Sequence, residues 1–255
     1  MGANWSLSFQ GDNTSYLSVP YDPLLDFGTD DFTVEWYQYE TVSHSHYRPF
    51  SRGSYGGGNN IIAVSIEGGT FYFWSNFGVG TSFAIPSLSN QWVHFAIARQ
   101  AGTTKIFMNG LVKSSFADAT DYTSSLDLII GNEPELSDVQ CAFGGYMYYF
   151  AWNKGYARYT ANFAPVPNTF PPIIDSTILM LNVSDASGSL GSTVTRENVG
   201  NEPYYPPPPP TPANQPFYRM VGSANSDNTV FYKSHSLAAS IGSTVRNSRA
   251  VSRRT

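Results

Sequence analysis

The sequence predicts an all-β fold in which two antiparallel sheets pack face to face as a sandwich. Only 13% of the 255 residues are charged and 15% are aromatic, which excludes a coiled coil, a helical bundle and a wholly disordered chain. Apolar and polar residues alternate with period two in short blocks, and Gly, Asn and Pro separate the blocks. Because the chain has one cysteine, Cys141, it has no internal disulfide, and packing must hold the fold together.

The alternating blocks define about ten strands. In the block 31–40, Phe32, Val34 and Trp36 share one face of a strand, while the alternate residues can remain in water on the other face. Further candidate strands are 6–10, 16–19, 127–130, 146–152 and 177–182. About ten strands of this kind are typical of a two-sheet sandwich.

Glycine and asparagine mark the tight turns between neighbouring strands. Residues 61–66 and 70–76 form a predicted hairpin through 67–69, which contains two glycines that tolerate the positive φ of such turns. A three-strand meander follows, with strands 92–99, 105–108 and 111–113. Its second turn, at Asn109 and Gly110, has the sequence typical of a type I′ turn.

The densest run of aromatic residues lies in and after the strand 146–152. By alternation, the core face of this strand carries Tyr146, Tyr148, Phe150 and Trp152. Tyr149, on the opposite face, and Tyr156 and Tyr159, after the strand, are candidates for contact with a glycan or a protein partner, because aromatic rings stack on both. The alternative is that these three tyrosines only pack within the domain.

Five fragments, in this order, resemble the laminin-G-like jelly-roll domains of the concanavalin A-like lectin and glucanase superfamily. They are SLSFQGDNTSYLSVPYDPLLDFGTDDFTVEWYQY, NQWVHFAIAR, IFMNG, LIIGN and GGYMYYFAWNKGYARYTANFAPV. The resemblance extends over residues 6–182 and implies two curved antiparallel sheets with loops at the rim. It implies no activity, because this scaffold is used by lectins, adhesive modules, glycoside hydrolases and structural domains.

The acidic residues do not predict catalysis. The hydrolases of this superfamily place their catalytic acids on one strand as Glu-x-Asp-x-x-Glu, and this string does not occur here. The nearest runs, Asp31 with Glu35 and the group Glu133, Glu135 and Asp138, are interpreted as solvated acids. We therefore predict that the protein is not an enzyme.

The sequence predicts no metal site and no cofactor. His44 and His46 are two residues apart and could begin a metal site, but no third ligand is nearby, and a surface loop is the better interpretation. His94 is interpreted as structural. The resemblance implies that calcium could bind rim loops through Asp12, Asn13 and Asp30, although no aspartate-rich ladder is present.

Charge and proline content divide the chain into three predicted parts. Residues 1–204 hold 8 Lys and Arg against 18 Asp and Glu, a balance of -10, whereas residues 205–255 hold 6 against 1, a balance of +5. The proline run 206–210 favours polyproline II and cannot join a sheet. We predict a sandwich over 1–204, a linker over 205–216 and a basic extended C-terminal arm over 217–255.

The arm has too few large apolar residues to form its own core, so we expect it to lie along a partner. Its predicted contact residues are the aromatic anchors Phe217, Tyr218, Phe231 and Tyr232 and the arginines Arg246, Arg249, Arg253 and Arg254. The arginines would meet an acidic surface. General binding to nucleic acid is not expected, because the rest of the chain is acidic.

These observations favour a non-enzymatic structural protein of a virus particle, such as a minor capsid, cement or fibre-associated protein held to neighbouring subunits by its arm. The sequence has neither a secretory signal pattern nor an apolar run long enough to span a bilayer, so we expect synthesis in the host cytoplasm and incorporation into the virion. The alternative is a lectin-like module that binds host glycans.

Overall fold

Strands make up the regular structure of the described chain, apart from one turn of 3₁₀ helix at Pro23–Leu25. The computed structural model describes residues 5–13, 15–42, 44–53, 62–76, 78–133, 141–165, 177–182, 194–198, 217–220 and 229–232. The strands, in chain order, are Trp5–Gln10 (β1), Leu17–Val19 (β2), Phe32–Val42 (β3), His46–Arg52 (β4), Ile62–Glu67 (β5), Thr70–Ser75 (β6), Gly78–Ala84 (β7), Trp92–Gln100 (β8), Thr103–Met108 (β9), Leu111–Ala117 (β10), Leu128–Ile130 (β11), Gly144–Lys154 (β12), Thr177–Asn182 (β13), Val194–Asn198 (β14), Phe217–Met220 (β15) and Thr229–Tyr232 (β16). Within these ranges, no helix has the length and apolar composition needed to cross a bilayer.

The strands form two antiparallel sheets. In the described residues, sheet A contains ten strands, in the order β10-β9-β8-β3-β12-β13-β16-β15, and β1 pairs with both β12 and β14. Sheet B contains six strands, in the order β2-β11-β4-β5-β6-β7. Apolar side chains from both sheets form one core cluster. The predicted all-β sandwich of two antiparallel sheets is therefore confirmed.

Tight turns join neighbouring strands where the sequence predicts them. Gly68 and Gly69 connect β5 to β6 with φ of 53° and 78°. Asn109 and Gly110 connect β9 to β10 with φ of 49° and 75°. At these four positions the backbone is left-handed, a conformation that glycine and asparagine adopt at low cost. The turns therefore set the register of both hairpins.

Phe50 of sheet B is one of the aromatic residues that join the two sheets. Its ring contacts three rings of sheet A, with centroids 5.4 Å from Trp36, 5.7 Å from Phe150 and 5.9 Å from Trp152, at interplanar angles of 71–90°. Edge-to-face packing of this kind is the arrangement that aromatic quadrupoles favour. All four side chains are fully buried, so this contact holds the sheets at a fixed spacing.

Strand β12 contains a β-bulge that reverses the predicted alternation in its first half. The pairing with β3 advances two residues along β12, from Met147 to Tyr149, while it advances one residue along β3. Met147 is consequently buried in the core and Tyr146 is partly exposed. The predicted core position of Tyr146 is therefore wrong, whereas the core positions of Phe150 and Trp152 are confirmed.

The outer face of β3 is covered by protein rather than by water at its centre. Glu35 is fully buried there, beneath the chain at 156–163 that follows β12. The hydroxyl of Tyr159 donates to Glu35 Oε2 at 2.8 Å, Arg158 Nε lies 3.0 Å from Oε1, and His94 Nε2 lies 3.4 Å from Oε2. The expectation that this face can remain in water is wrong here, because a charged and hydrogen-bonded cluster replaces the solvent.

A second polar cluster surrounds the cysteine. Cys141 is buried, with its Sγ 3.1 Å from His46 Nε2, and Arg48 Nε lies 3.2 Å from Glu133 Oε2 beside it. Burial, and then the negative charge of Glu133, raise the pKa of the Cys141 thiol from 9.0 to about 12. The thiol therefore keeps its proton at neutral pH.

Two segments of the predicted C-terminal arm are strands of sheet A. Phe217 and Tyr218 of β15 lie opposite Tyr232 and Phe231 of β16, and β16 pairs with β13. For these segments the structure differs from the prediction of an arm that extends away from the sandwich, because backbone pairing at the β13 edge satisfies their N–H and C=O groups. The linker 205–216 and the four arginines Arg246, Arg249, Arg253 and Arg254 lie outside the described residues.

We predict that truncating Phe50 weakens the whole fold. The change Phe50→Ala should lower the free energy of unfolding by about 3–5 kcal/mol, since it removes a ring that contacts three rings of the other sheet and leaves a cavity. Urea denaturation followed by tryptophan fluorescence measures this. Phe50→Leu should cost less, and Tyr21→Ala, at an exposed aromatic residue, should change stability little. Equal effects of Phe50→Ala and Tyr21→Ala would contradict the assignment.

We also predict that Cys141 resists thiol reagents in the folded protein. The rise of its pKa from 9.0 to about 12 reduces the thiolate fraction about a thousandfold, so a disulfide reagent at pH 8 should label native protein far more slowly than protein in urea. Since the folded state binds this proton more tightly, the stability contribution is complete below pH 9 and declines as the pH rises towards 12. Rapid stoichiometric labelling of native protein would disprove this.

Candidate functional site

A cavity of about 520 Å³ opens at one end of the sandwich, and we call it the rim pocket. Its walls are the end of β3 at Glu40, the segment 44–47, Ile66 with the following turn, and the loop 85–89 between β7 and β8. Both sheets therefore contribute to it. This volume lies within the range of about 300–1,000 Å³ typical of small-molecule sites.

Glu40 lies at the floor of the rim pocket, and its side chain is held by hydroxyl groups. The residue is only 5% exposed. The Tyr47 hydroxyl donates to Oε2 at 2.8 Å, and the Ser89 hydroxyl donates to Oε1 at 3.2 Å. A carboxylate removed from water needs such donors to offset the loss of hydration. A carboxylate can accept about four hydrogen bonds, and these two donors leave capacity for a further donor from a ligand.

A chain of hydrogen bonds runs from the core to this carboxylate. The indole N–H of Trp36 donates to Gln38 Oε1 at 2.8 Å, and the Gln38 amide donates to the Tyr47 hydroxyl at 2.9 Å. Tyr47 in turn donates to Glu40. Burial, and then the charge of Glu40, raise the pKa of Tyr47 well above its usual range, so the phenol stays protonated as the donor. The chain fixes the orientation of the Glu40 side chain.

Backbone hydrogen bonds hold the walls of the rim pocket in place. The N–H of Gly68 donates to Ser45 O at 3.2 Å, the N–H of Ile85 to Gly69 O at 2.9 Å, and the N–H of Asn90 to Glu40 O at 2.9 Å. Gly68 lacks a side chain, and a Cβ placed there would meet no atom within 4 Å. This side of the pocket is therefore backbone and open space.

The two histidines that were weighed as metal ligands have separate partners. His44 lines the rim pocket, and its Nε2 lies 2.9 Å from Gly11 O, so this nitrogen is the donor. His46 contacts Cys141 instead. His94 is buried beside Glu35, as its interpretation as structural implies. In the described part of the chain, no three His, Cys, Asp or Glu side chains are grouped in a way that could hold a metal ion.

The residues that the resemblance implied for calcium lie in two different connections. Asp12 lies in the turn between β1 and β2, where its carbonyl accepts from the N–H of Ser15. Asn13 follows it in the same turn. The carbonyl of Asp30, in the connection to β3, accepts from the guanidinium of Arg99 at 2.6 and 2.9 Å.

The structure separates the three predicted contact tyrosines. Tyr149 is 1% exposed, so it lies inside the protein and its prediction as a contact residue needs correction. Tyr149 keeps its predicted outer face, because it alternates with the core residue Phe150, and the chain that covers this face beside Glu35 is the physical reason for its burial. Tyr159 donates to Glu35 and stacks on Phe163 with centroids 3.6 Å apart. Tyr156 is 45% exposed and remains the one of the three that is open to a partner.

Gln38, Glu40 and Tyr47 were not among the site residues predicted from the sequence. Gln38 and Glu40 continue the alternation of Phe32, Val34 and Trp36, so the sequence places both on the inward face of β3. A polar residue at an inward position needs a buried partner, and this conflict was the available signal. Tyr47 had no comparable signal, because its strand was not predicted.

Residues 11–154 match the laminin G family model, which is described as the concanavalin A-like lectin/glucanases superfamily. Among solved structures, a "putative carbohydrate binding protein" from Bacteroides ovatus has a TM-score of 0.54 at 15% identity, with 78% of this chain and 61% of that chain covered. Mouse laminin alpha1 domains LG4-5 have a TM-score of 0.45 at 14% identity, with 65% of this chain and 48% of that chain covered.

The native heptameric SAP-like pentraxin from Limulus polyphemus has a TM-score of 0.45 at 15% identity, with 59% of this chain and 76% of that chain covered. The chain covers less than two thirds of the length of the mouse and Bacteroides ovatus chains. No curated protein matches the sequence. The family match spans more than half of the 255 residues and agrees with the two-sheet sandwich, so this protein belongs to the concanavalin A-like lectin/glucanases superfamily.

Proposed function

We propose that this protein is a non-catalytic glycan-binding module that holds a sugar in the rim pocket through Glu40. The observation that carries the proposal is a buried carboxylate at the floor of an open cavity of about 520 Å³, with both oxygens oriented by neutral hydroxyl donors. Sugar hydroxyls are donors of the kind that such a carboxylate accepts. A monosaccharide unit fits a cavity of this size.

The family supports a binding role. The Bacteroides ovatus structure shares the fold, and its description names carbohydrate binding. Because one fold serves many functions, this likeness supports the class of ligand, while the choice of site depends on the rim pocket itself.

The acids in the rim pocket favour binding without cleavage. Glycoside hydrolysis uses two carboxyl groups about 5–9.5 Å apart, one of them as an acid. Among the described residues that line this pocket, Glu40 is the single acidic side chain. The ligand would therefore be held and released unchanged.

A second role, in the assembly of a virus particle, is supported by the charge distribution. The balance of -10 over residues 1–204 and +5 over 205–255 would let the basic end of one chain meet an acidic surface of a neighbouring structural protein. Because β15 and β16 pair within sheet A, the tether in this proposal is 233–255. Its setting would be a virion formed in the host cytoplasm, with the glycan site facing outwards.

The glycan-binding proposal predicts that Glu40→Gln lowers affinity about ten- to a hundredfold, since hydrogen bonds to a charged acceptor contribute about 1.5–3 kcal/mol. A glycan array followed by titration calorimetry on the retained sugars measures this. Asp121→Asn, at an exposed acid outside the pocket, is the control for loss of charge and should bind as the parent does. Thermal unfolding of each variant shows that it is folded. Failure of the folded parent to retain any glycan would overturn the proposal, as would unchanged affinity of Glu40→Gln.

The assembly proposal predicts that deletion of 233–255 prevents incorporation into particles while glycan binding persists. Quantitative mass spectrometry of purified particles, from cells expressing either the full chain or the shortened chain, measures incorporation. Full incorporation of the shortened chain would contradict the tether.

A further inference from the structure

We infer that the ligand of the rim pocket is an amino sugar, a hexose unit with a free primary amine, and that the pocket rejects acidic sugars. This inference rests on the proposed glycan-binding function and adds the charge of the ligand. It depends on the electrostatic surroundings of Glu40, on the aliphatic residues that line the pocket and on the net negative charge of residues 1–204.

Both glutamates of β3 are buried, and among the residues that the structure describes a cation lies beside only one of them. Glu35 has the guanidinium of Arg158 3.0 Å away and His94 at 3.4 Å, within the protein. Glu40 is held by the hydroxyls of Tyr47 and Ser89. A buried charge is stabilised most by an opposite charge that also donates hydrogen bonds. Glu40 is thus the glutamate of β3 to which a ligand can bring the compensating ammonium group.

The described lining of the rim pocket carries no fixed positive charge. Among its described residues there is neither lysine nor arginine. The Nε2–H of His44 is directed to the carbonyl of Gly11. A carboxylate or sulfate on a sugar would therefore enter beside Glu40 without a guanidinium or ammonium partner, and like charges at close range repel strongly in a partly desolvated site.

The aliphatic part of the pocket lining suits the ring of a sugar. Ile66, Ile85, Pro86 and Leu88 present aliphatic groups to the cavity, against which the C–H groups of a hexose ring can pack. Ser45 and Ser87 line the same cavity. The Ser45 hydroxyl lies 3.3 Å from His46 Nδ1 and the Ser87 hydroxyl accepts from the N–H of Ser89 at 3.4 Å, and a hydroxyl so engaged can still bond to a ring hydroxyl, since it is both donor and acceptor. An apolar wall with a carboxylate at the floor is complementary to a ring that carries C–H groups on one side and an ammonium group at its edge.

The wider charge of residues 1–204 acts in the same direction. Residues 1–204 hold 18 Asp and Glu against 8 Lys and Arg. A net negative domain raises the local concentration of cations and speeds their association. Binding of an amino sugar should consequently weaken as salt is added, whereas binding of a neutral sugar should not.

The test uses matched oligosaccharides that differ at one group. Glucosamine oligomers are compared with their N-acetylated counterparts, with glucose oligomers and with uronic acid oligomers, by titration calorimetry on the full chain at a pH where the amine is protonated. We expect the free amine to bind at least about tenfold more tightly than the N-acetyl form and the uronic acid oligomers to bind least. An oligolysine peptide tests whether any ammonium group suffices, and binding as tight as that of the amino sugar would overturn the sugar assignment.

Two variants separate the charge of Glu40 from its orientation. Glu40→Gln should reduce the ratio of amine to N-acetyl affinity to about one. Tyr47→Phe removes the donor that orients Glu40 but keeps its charge, so all affinities should fall while the preference for the amine persists. If Tyr47 served only the stability of the fold, Tyr47→Phe would lower the thermal stability but would leave the glycan affinities of the folded protein unchanged.

The outcomes distinguish this inference from the proposed function. One outcome is that glycans bind, that the parent shows no preference for the amine and that Glu40→Gln weakens all glycans equally. The rim pocket would then bind sugars, but the inference of an amino sugar would be wrong. Tighter binding of uronic acids than of amino sugars also overturns it. If no oligosaccharide binds at all, the proposed function itself fails.

Discussion

The packing of Trp36 against Phe50 connects the stability of this protein to its candidate site. The two rings meet edge to face between the sheets, with centroids 5.4 Å apart, and Trp36 also stacks on Phe95 at 5.4 Å. A buried indole N–H needs an acceptor, and Gln38 supplies it. The chain of hydrogen bonds that ends at Glu40 thus begins in the aromatic core, and the rim pocket is an extension of that core.

The parts of the fold that the sequence predicts are those in which alternation is accompanied by a strong turn signal. The β5–β6 and β9–β10 hairpins have the predicted turns, because glycine and asparagine at positive φ leave few alternatives. The strand β4 contains Pro49 and a break in its register between Tyr47 and Phe50, and β7 begins with two glycines in three residues. Proline and glycine in these positions argue against a strand when the sequence is read alone. Both segments nevertheless form strands, because they pair with neighbouring strands of sheet B.

The candidate site was harder to predict because it depends on contacts between distant segments. Alternation places Gln38 and Glu40 inward, but their partners Tyr47 and Ser89 come from other elements. The outer face of sheet A posed the same difficulty, since Glu35 receives Tyr159 from 124 residues away. The β12 bulge adds one residue that no local propensity reveals. Sequence pattern therefore indicates which residues face inward, while the tertiary structure determines which of them meet.

The rigidity of the rim pocket has a consequence for how tightly it can bind. Immobilising side chains and loops on binding costs about 0.5–1.5 kcal/mol for each flexible side chain. Here Glu40 is already fixed by two donors, and the surrounding loops are already joined through backbone hydrogen bonds at Gly68, Ile85 and Asn90. The entropy cost of ordering the protein on binding would therefore be small, and little of the favourable interaction energy with a ligand would be lost. Selectivity then depends chiefly on whether the group that reaches Glu40 carries a positive charge, because the carboxylate cannot turn away from an unsuitable partner.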